Sequence, residues 1–326
     1  MVHPGDTSAI SALFDAGLAP GAVRAVIGKT EGNGGLNDFT RGYFIQSLMH
    51  VIAARSGETV ADLTARIPCV LSGGTEGVLS PHAVLLSVEA EAEAFPGHGL
   101  AIATAFGPRL PAGASGSDVH IAAVAATVRQ AVVSGGVRSP GLVFVKTPAG
   151  SLGGMARARA AAALGAAVAL GDVPSPSATA AALLNDLSLQ SSRVIVSAGI
   201  EVTCDEVIVL GEAEGWAPSL VLGVRPMADV LDIGAAQALV AALGGPGRLR
   251  AVFAKGEPDA TGRIRGQRHT MLGDTDIDAQ RHLRAALGAI VAAAAGDGRV
   301  FVSGGAEHQG PPGGGLIAAI AEREAS

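Results

Sequence analysis

The sequence predicts an α/β protein built from three β-α-β-α-β repeat units, related by pseudo-threefold symmetry and packed around one central site. One observation is a short serine-containing segment that occurs three times, each time after an apolar run of strand character. Another is a lysine that ends an upstream strand-like run at a near-constant distance from each serine. Self-similarity of this kind is typical of repeat architectures.

The three segments begin at Ser72, Ser197 and Ser303 and read Ser-Gly-Gly-Thr-Glu, Ser-Ala-Gly-Ile-Glu and Ser-Gly-Gly-Ala-Glu. The strand-like runs before them cover residues 67–71, 194–196 and 300–302. The upstream runs end at Lys29, Lys146 and Lys255, so each lysine precedes its serine by 43, 51 or 48 residues. Three copies of one spacing predict three equivalent pairs of strands.

Helices are expected between each lysine and its serine, where apolar residues recur at helical spacing. These helices would cover residues 39–54, 155–169 and 276–295. The later repeats open with a further strand and helix, predicted at 100–106 and 118–133 in the second and at 206–210 and 227–243 in the third. The first repeat begins with a helix after residue 6, so its opening strand is either absent or lies upstream. Pro/Gly-rich junctions near 93–99 and 215–219 place the units at 1–95, 98–214 and 218–326.

Composition excludes several functional classes. Hydrophobic residues make up 48% of the 326 and aromatics only 3%, which argues against disorder and against stacking-based binding of single-stranded nucleic acid. The net charge of −6 indicates no affinity for nucleic acid, and two cysteines give neither a disulfide framework nor a metal cluster. No signal peptide is recognisable, and runs such as 285–295 are too short to span a bilayer. A soluble, cytoplasmic protein without a membrane partner is expected.

The lysine and serine sets suggest nucleophilic catalysis. A serine hydroxyl becomes a nucleophile when a neighbouring base removes its proton, and a lysine is such a base once burial and nearby cations lower its pKa. Three units around an axis would bring the lysines together, with Arg41, Arg159 and Arg284 between them. The alternative, lysines that merely protect strand edges from association, explains one lysine well and three paired ones poorly.

Three equivalent sets around an axis suit a small ring with three alternating carbonyl and N–H groups. Hydroxyl and backbone N–H donors of the turns at the serines would bind each carbonyl in the manner of an oxyanion hole. Only one carbonyl needs to be attacked. The second repeat carries Ala198 where the others have glycine, so Ser197 is the natural candidate for the nucleophile.

Six stretches of the chain resemble the cyanuric acid hydrolase/barbiturase family of ring-opening amidohydrolases. They are residues 28–41, 72–82, 184–192, 197–201, 265–278 and 303–315. The resemblance implies three pseudo-threefold repeats, an active site on the axis and a homotetramer.

The resemblance also implies the roles of single residues. Ser197 would be the nucleophile and Lys146 its general base. Arg159 is the least secure of the arginines, with Arg157 as a near competitor. The substrate-binding residues would be Lys29, Arg41, Ser72, Gly73, Arg159, Ala198, Lys255, Arg284, Ser303 and Gly304.

Family members carry a structural divalent metal, which the resemblance places near the C-terminus of this chain. Its ligands would be oxygens, as Mg²⁺ or Ca²⁺ requires. They would come from Glu257, Ala306, Gln309, Gly310, Pro311 and Gly314. No organic cofactor is expected.

The implied reaction is hydrolytic opening of cyanuric acid to carboxybiuret, which loses CO₂ to give biuret. The alternative within the family is a barbiturase that opens barbituric acid to ureidomalonate. A catalytically silent binding protein on the same scaffold and an Ala/Gly-rich assembly protein are the competing classes. Intact lysine and serine sets argue against the first, and the cationic clusters would be unexplained by the second.

Overall fold

The computed structural model describes residues 1–88, 95–150 and 154–324. Its first unit contains a three-stranded sheet in the order β2-β1-β3. The elements are α1 (Ser8–Asp15), β1 (Val23–Thr30), α2 (Thr40–Ser56), α3 (Val60–Arg66), β2 (Cys69–Gly73) and β3 (His82–Ser87). Helix α2 ends where Gly57 adopts the left-handed conformation, with φ of 78°, as glycine readily does.

The second unit has a four-stranded sheet in the order β4-β7-β5-β6. Its elements are β4 (Phe95–Phe106), α4 (Asp118–Ser134), β5 (Ser139–Pro148), α5 (Gly154–Leu170), β6 (Val194–Gly199) and β7 (Glu206–Gly215). Alanine, the strongest helix former, dominates α5, and its small side chain lets this helix pack closely against α4 and the sheet.

The third unit repeats the second, with a sheet in the order β12-β9-β13-β8. Its elements are β8 (Leu220–Met227), α6 (Ile233–Ala242), β9 (Leu249–Gly256), the short hairpin β10 (Arg263–Ile264) and β11 (Gln267–Arg268), α7 (Ala279–Ala295), β12 (Phe301–Gly304) and β13 (Gly315–Glu322). Short 3₁₀ turns occur at Pro20–Ala22, Ser175–Ser177 and Pro246–Arg248.

The register within the sheets confirms the predicted α/β fold of three equivalent units. In each sheet the strand that ends in lysine runs parallel to the strand that carries serine. Lys29 lies opposite Ser72, Lys146 opposite Ser197, and Lys255 opposite Ser303. The carboxyl ends of parallel strands meet at one edge, so each pair stands at the same corner of its unit.

The sheets of the second and third units each contain one strand more than the predicted β-α-β-α-β order, and the sheet of the first unit has the same additional strand. After the serine strand the chain returns as an antiparallel strand, β3, β7 or β13, which pairs with the lysine strand on its other side. Residues 206–210 were expected to open the third unit, and that assignment is wrong. They begin β7, which pairs with β4 and β5 of the second sheet, whereas β8 opens the third unit. An apolar run predicts a strand, but its partner is chosen by packing.

The predicted junctions fall at different places relative to the strands. Residues 215–219 join the end of β7 to the start of β8, whereas 93–94 of the first junction lie outside the described residues. The first sheet contains, within the described part of the chain, no counterpart of β4 or β8.

Apolar faces of the three sheets meet in a common core. Three of the eight phenylalanines lie there, Phe144 on β5, Phe253 on β9 and Phe301 on β12. Their ring centroids are 5.0 to 6.4 Å apart in edge-to-face arrangements, which aromatic rings favour. This core holds the lysine-bearing ends of the three sheets together. Among the described helices, none is both long enough and apolar enough to cross a membrane.

Candidate active site

Two of the lysine–serine pairs are joined by hydrogen bonds. Lys29 Nζ donates to Ser72 Oγ at 3.2 Å, and Lys255 Nζ donates to Ser303 Oγ at 3.0 Å. The same amines bond the next carbonyl along the chain, that of Gly73 or Gly304, at 3.2 and 2.8 Å. Each lysine is therefore held at both the side chain and the backbone of its own serine turn.

The second pair is arranged differently. Lys146 Nζ donates to the carbonyl of Leu71 at 2.8 Å, as Lys255 Nζ does to the carbonyl of Val196 at 2.6 Å, but it also lies 2.5 Å from Glu201 Oε1. Ser197 Oγ is instead 3.3 Å from Ser303 Oγ. The described residues show no hydrogen bond between Lys146 and Ser197, although the two lie opposite each other in the sheet. The lysine that the resemblance names as base is thus the one with a carboxylate partner.

The environment of the lysines lowers the pKa of all three. Burial is the main cause, and it takes the pKa of Lys29 and Lys255 well below the usual value, helped by the cations Arg284 and Arg159. Burial also lowers the pKa of Lys146, but the adjacent Glu201 opposes it and leaves a value of about 8. A pKa near the working pH is best suited to a group that must accept a proton and return it.

Three arginine–glutamate pairs connect the units in a ring. Arg41 of the first unit donates to Glu201 of the second at 2.7 Å. Arg159 of the second unit bonds Glu307 of the third at 2.6 and 2.9 Å, and Arg284 of the third bonds Glu76 of the first. The Arg159 and Arg284 pairs are planar two-point pairs, which fix the orientation of a guanidinium group, whereas Arg41 bonds Glu201 with one nitrogen and Asp38 with another. The ring therefore brings all three predicted arginines to the serines, whereas Arg157 bonds the carbonyl of Ala180.

A cavity of about 590 Å³ lies where the three units meet. Its walls include residues of all three units: Arg41, Ser72, Gly73, Arg159, Ser197, Ala198, Arg284, Ser303 and Gly304. The lysines lie fully buried behind the serines. Three hydroxyls and three guanidinium groups around one space can bind a small ring with several carbonyl oxygens.

The residue after the serine is glycine in the first and third repeats and alanine in the second, and the difference has a steric reason. A Cβ atom on Gly73 would come within 1.8 Å of Asp38 Oδ2, and one on Gly304 within 2.5 Å of Gln280 Oε1. Ala198 has room for its methyl group and is only 8% exposed. The turn at Ser197 is therefore the one that accommodates a side chain at the position after the serine.

The residues predicted to bind metal come together at the end of β9. The backbone N–H groups of Gly313 and Ala306 lie near the Glu257 carboxyl, and the N–H of Glu257 donates to Gly314 O at 3.1 Å. Burial and the nearby Glu307 raise the pKa of Glu257 to about 7. Two close carboxylates among backbone carbonyls suit a hard divalent cation, whose charge would relieve their repulsion. The described residues contain no cluster of three or more acidic, histidine or cysteine side chains that would suggest another kind of metal site.

Gln309 has a different use for its side chain. Its Oε1 accepts from the N–H of Val196 on β6 at 2.6 Å, and its Nε2 donates to the carbonyls of Gly305 and Glu307. Only the backbone carbonyl of Gln309 is thus available as a metal ligand. The side chain instead ties the C-terminal loop to the strand that carries Ser197.

Comparison with known proteins identifies the family. The chain matches the family model described as amidohydrolase ring-opening protein over residues 1–152 and again over residues 149–322. The chain belongs to this family.

Curated members of the family are similar over their whole length. A cyanuric acid amidohydrolase of Azorhizobium caulinodans is 40% identical, with 98% of this chain and 96% of that protein covered. One from Enterobacter cloacae is 35% identical, with 98% and 97% covered. Among solved structures, a cyanuric acid hydrolase superposes with a TM-score of 0.93 at 37% identity, covering 98% of this chain and 96% of that one. The A. caulinodans cyanuric acid hydrolase gives 0.90 at 38% identity, covering 99% and 96%.

The residues predicted from the sequence did not include the three glutamates that pair with the arginines around the cavity. Glu76, Glu201 and Glu307 each stand four residues after a serine, so all three copies of the segment contain them. Their triplication was the available signal. Their partners, 148 to 208 residues away in the chain, follow only from the packing of the units.

Proposed function

We propose that this chain hydrolyses cyanuric acid, opening the s-triazine ring with Ser197 as nucleophile and Lys146 as general base. The observation that carries the proposal is the set of three in-register lysine–serine pairs and three arginines around one cavity. Relatives named cyanuric acid amidohydrolase cover nearly the whole chain, which supports the same substrate.

The assignment of the nucleophile rests on differences among the three pairs. Lys146 is the lysine whose pKa, at about 8, lies close to neutrality. Lys29 and Lys255, with pKa values well below normal, are already committed to hydrogen bonds with their serines and turn carbonyls. These two dyads would bind the remaining ring carbonyls while Ser197 attacks the third.

The chemistry follows from these positions. Lys146 takes the Ser197 proton, and the alkoxide adds to a ring carbonyl. Hydroxyl and backbone N–H donors at the serine turns hold the tetrahedral oxyanion. The C–N bond then breaks as the ring nitrogen takes the proton from Lys146. Water hydrolyses the acyl-enzyme to carboxybiuret, which loses CO₂ to give biuret.

The apo geometry requires one adjustment for this mechanism. Lys146 Nζ must move from Glu201 toward Ser197 Oγ, and it can keep the Leu71 carbonyl, as Lys255 bonds both the Val196 carbonyl and Ser303 Oγ. Catalytic hydrogen bonds commonly shorten only in the substrate complex. Substrate binding against Arg41, which shares Glu201 with Lys146, supplies a physical link between the ligand and this lysine.

A divalent cation, Mg²⁺ or Ca²⁺, belongs to the proposal as a structural element. The Glu257 carboxylate and the carbonyls of Ala306, Gln309, Gly310, Pro311 and Gly314 would hold it. When bound it would supply positive charge beside Glu307, which orients Arg159. A homotetramer and a cytoplasmic location remain predictions from the resemblance and the composition, the first testable by light scattering.

The decisive experiment follows ring absorbance in the ultraviolet with cyanuric and barbituric acids in parallel, using the Ser197→Ala variant as the blank. Mass spectrometry identifies the product. Turnover of cyanuric acid to biuret and CO₂ supports the proposal. Turnover of barbituric acid alone to ureidomalonate would establish the alternative substrate, and loss of neither ring would refute hydrolysis of both.

A further inference from the structure

The three lysines differ in the residue that faces them from their second neighbouring strand. Lys29 lies opposite His82 on β3, and Lys255 lies opposite Leu316 on β13. Lys146 lies opposite Glu206 on β7. Directly opposed residues of antiparallel strands project from the same face of the sheet. The second unit therefore places a carboxyl where the others have an imidazole or an isobutyl group.

Glu206 also reaches into the neighbouring unit. Its Oε2 accepts a hydrogen bond from the N–H of Cys69, the first residue of β2, at 2.7 Å. Two residues further along β2, the carbonyl of Leu71 accepts from Lys146 at 2.8 Å. Strand β2 is the edge of its sheet, so its outer N–H and C=O groups need partners from elsewhere. Lys146 and Glu206, side by side in one sheet, thus hold the same edge strand of another.

Charged and titratable groups surround Glu206. Lys146 faces it from β5, Glu201 from the turn after β6, and the thiols of Cys69 and Cys204 lie beside it. Beyond them are Asp205, which precedes it in the chain, and Arg41 on α2, which pairs with Glu201. Burial raises the pKa of Glu206 to about 7, so the group is largely ionised when Lys146 titrates at about 8. Its negative charge then favours the protonated amine.

We propose that Glu206 is a positioning residue of the reaction: it braces β2 so that the Leu71 carbonyl orients Lys146, and its charge tunes that lysine as a base. This rests on the proposed function, because Lys146 is taken as the base. The role also explains why the second pair is electrostatically unlike the other two, although the three occupy equivalent positions.

Two substitutions separate the effect of the hydrogen bond to β2 from the effect of the negative charge beside Lys146. Glu206→Gln keeps the shape and an oxygen that can accept from Cys69, but it removes the charge. Glu206→Leu installs the residue found at the matching position of the third unit and removes both. The matched control is Glu212→Gln, the same chemical change at an exposed position of the same strand. Each protein is assayed for kcat and KM across pH and for hydrogen–deuterium exchange of peptides covering β2.

The expected results differ between the variants. Because a carboxylate raises the pKa of a neighbouring lysine, Glu206→Gln should move the acid limb of kcat to lower pH by about half a unit or more, which is ~threefold in rate on that limb. Its plateau and the exchange of β2 should stay near wild type. Glu206→Leu should lower kcat by about tenfold with little change in KM, and should speed exchange in β2. If Glu206 had a purely structural role, Glu206→Leu would still speed hydrogen–deuterium exchange in β2, but the acid limb of kcat in Glu206→Gln would not move.

The outcomes that overturn the proposal are equally definite. An acid limb in Glu206→Gln at the wild-type pH refutes the effect of charge, and this variant remains informative even if Glu206→Leu does not fold. Unchanged β2 exchange in a folded Glu206→Leu refutes the brace. Failure of the wild type to open either ring is a separate result: it refutes the proposed function, while the exchange measurement still decides whether Glu206 holds β2.

Discussion

Replacing Glu201 by glutamine should destabilise the protein measurably, because this carboxylate has two buried cationic partners. The side chains of Arg41, Lys146 and Glu201 are 1%, 0% and 4% exposed, and the joining distances are 2.7 and 2.5 Å. Removing one member of a buried ion pair costs about 3–5 kcal/mol, since a charge is left without its partner. Arg41 keeps Asp38 at 3.0 Å, and Lys146 can lose its proton, so we expect the lower end, about 3 kcal/mol.

The corresponding change in melting temperature follows from chain length. At ~2.1 cal/mol/K per residue, unfolding 326 residues in one transition has an entropy of about 0.7 kcal/mol/K. Glu201→Gln should therefore lower Tm by about 4 °C. Glu76→Gln should lower it further, by up to about 7 °C, because Arg284 has no second carboxylate partner among the described residues.

Differential scanning calorimetry at pH 7 checks this ranking. The control is Glu322→Gln, whose pair with Arg250 is about half exposed on both sides and should change Tm by about 1 °C or less. If Glu201→Gln melts within experimental error of Glu322→Gln, the glutamate ring does not stabilise the junction between the units. If Glu201→Gln loses more than Glu76→Gln, Asp38 does not compensate Arg41.

Three further predictions concern catalysis and metal. Ser197→Ala and Lys146→Ala should each nearly abolish turnover in steady-state assays, because nucleophile and base act as a unit. A larger loss of activity in Ser72→Ala or Ser303→Ala, with Ser197→Ala still active, would contradict this. The wild-type rate should rise with pH through about 8, since the base acts after losing its proton; a limb near 10.5 in the pH profile of kcat would count against a buried lysine base. Chelation of the metal should lower Tm while kcat stays close to its original value, and Glu257→Gln should have the same effect. An unchanged Tm with lost turnover would indicate a catalytic metal instead.

The sequence by itself determined the repeat and its chemical content. Strand-like runs that end in lysine and serine at similar spacing, three times over, predicted three equivalent units. The structure pairs each lysine with its serine in register. The helices after the lysines were also predictable, because apolar periodicity reports which face of an element is buried. These features depend on residues close together in the chain.

Tertiary structure alone decided which partners meet. No local pattern indicates that β7 returns beside β5, or that Arg41 reaches Glu201, 160 residues away, in another unit. The distinct character of Lys146 depends on Glu201 and Glu206, because its bond to the Leu71 carbonyl of another unit has a counterpart in the bond of Lys255 to the Val196 carbonyl. A repeat in sequence predicts symmetry, whereas the charge state of a buried lysine depends on every group within a few ångströms. Only the packing of the three units sets those distances, and they make one of three equivalent pairs different from the others.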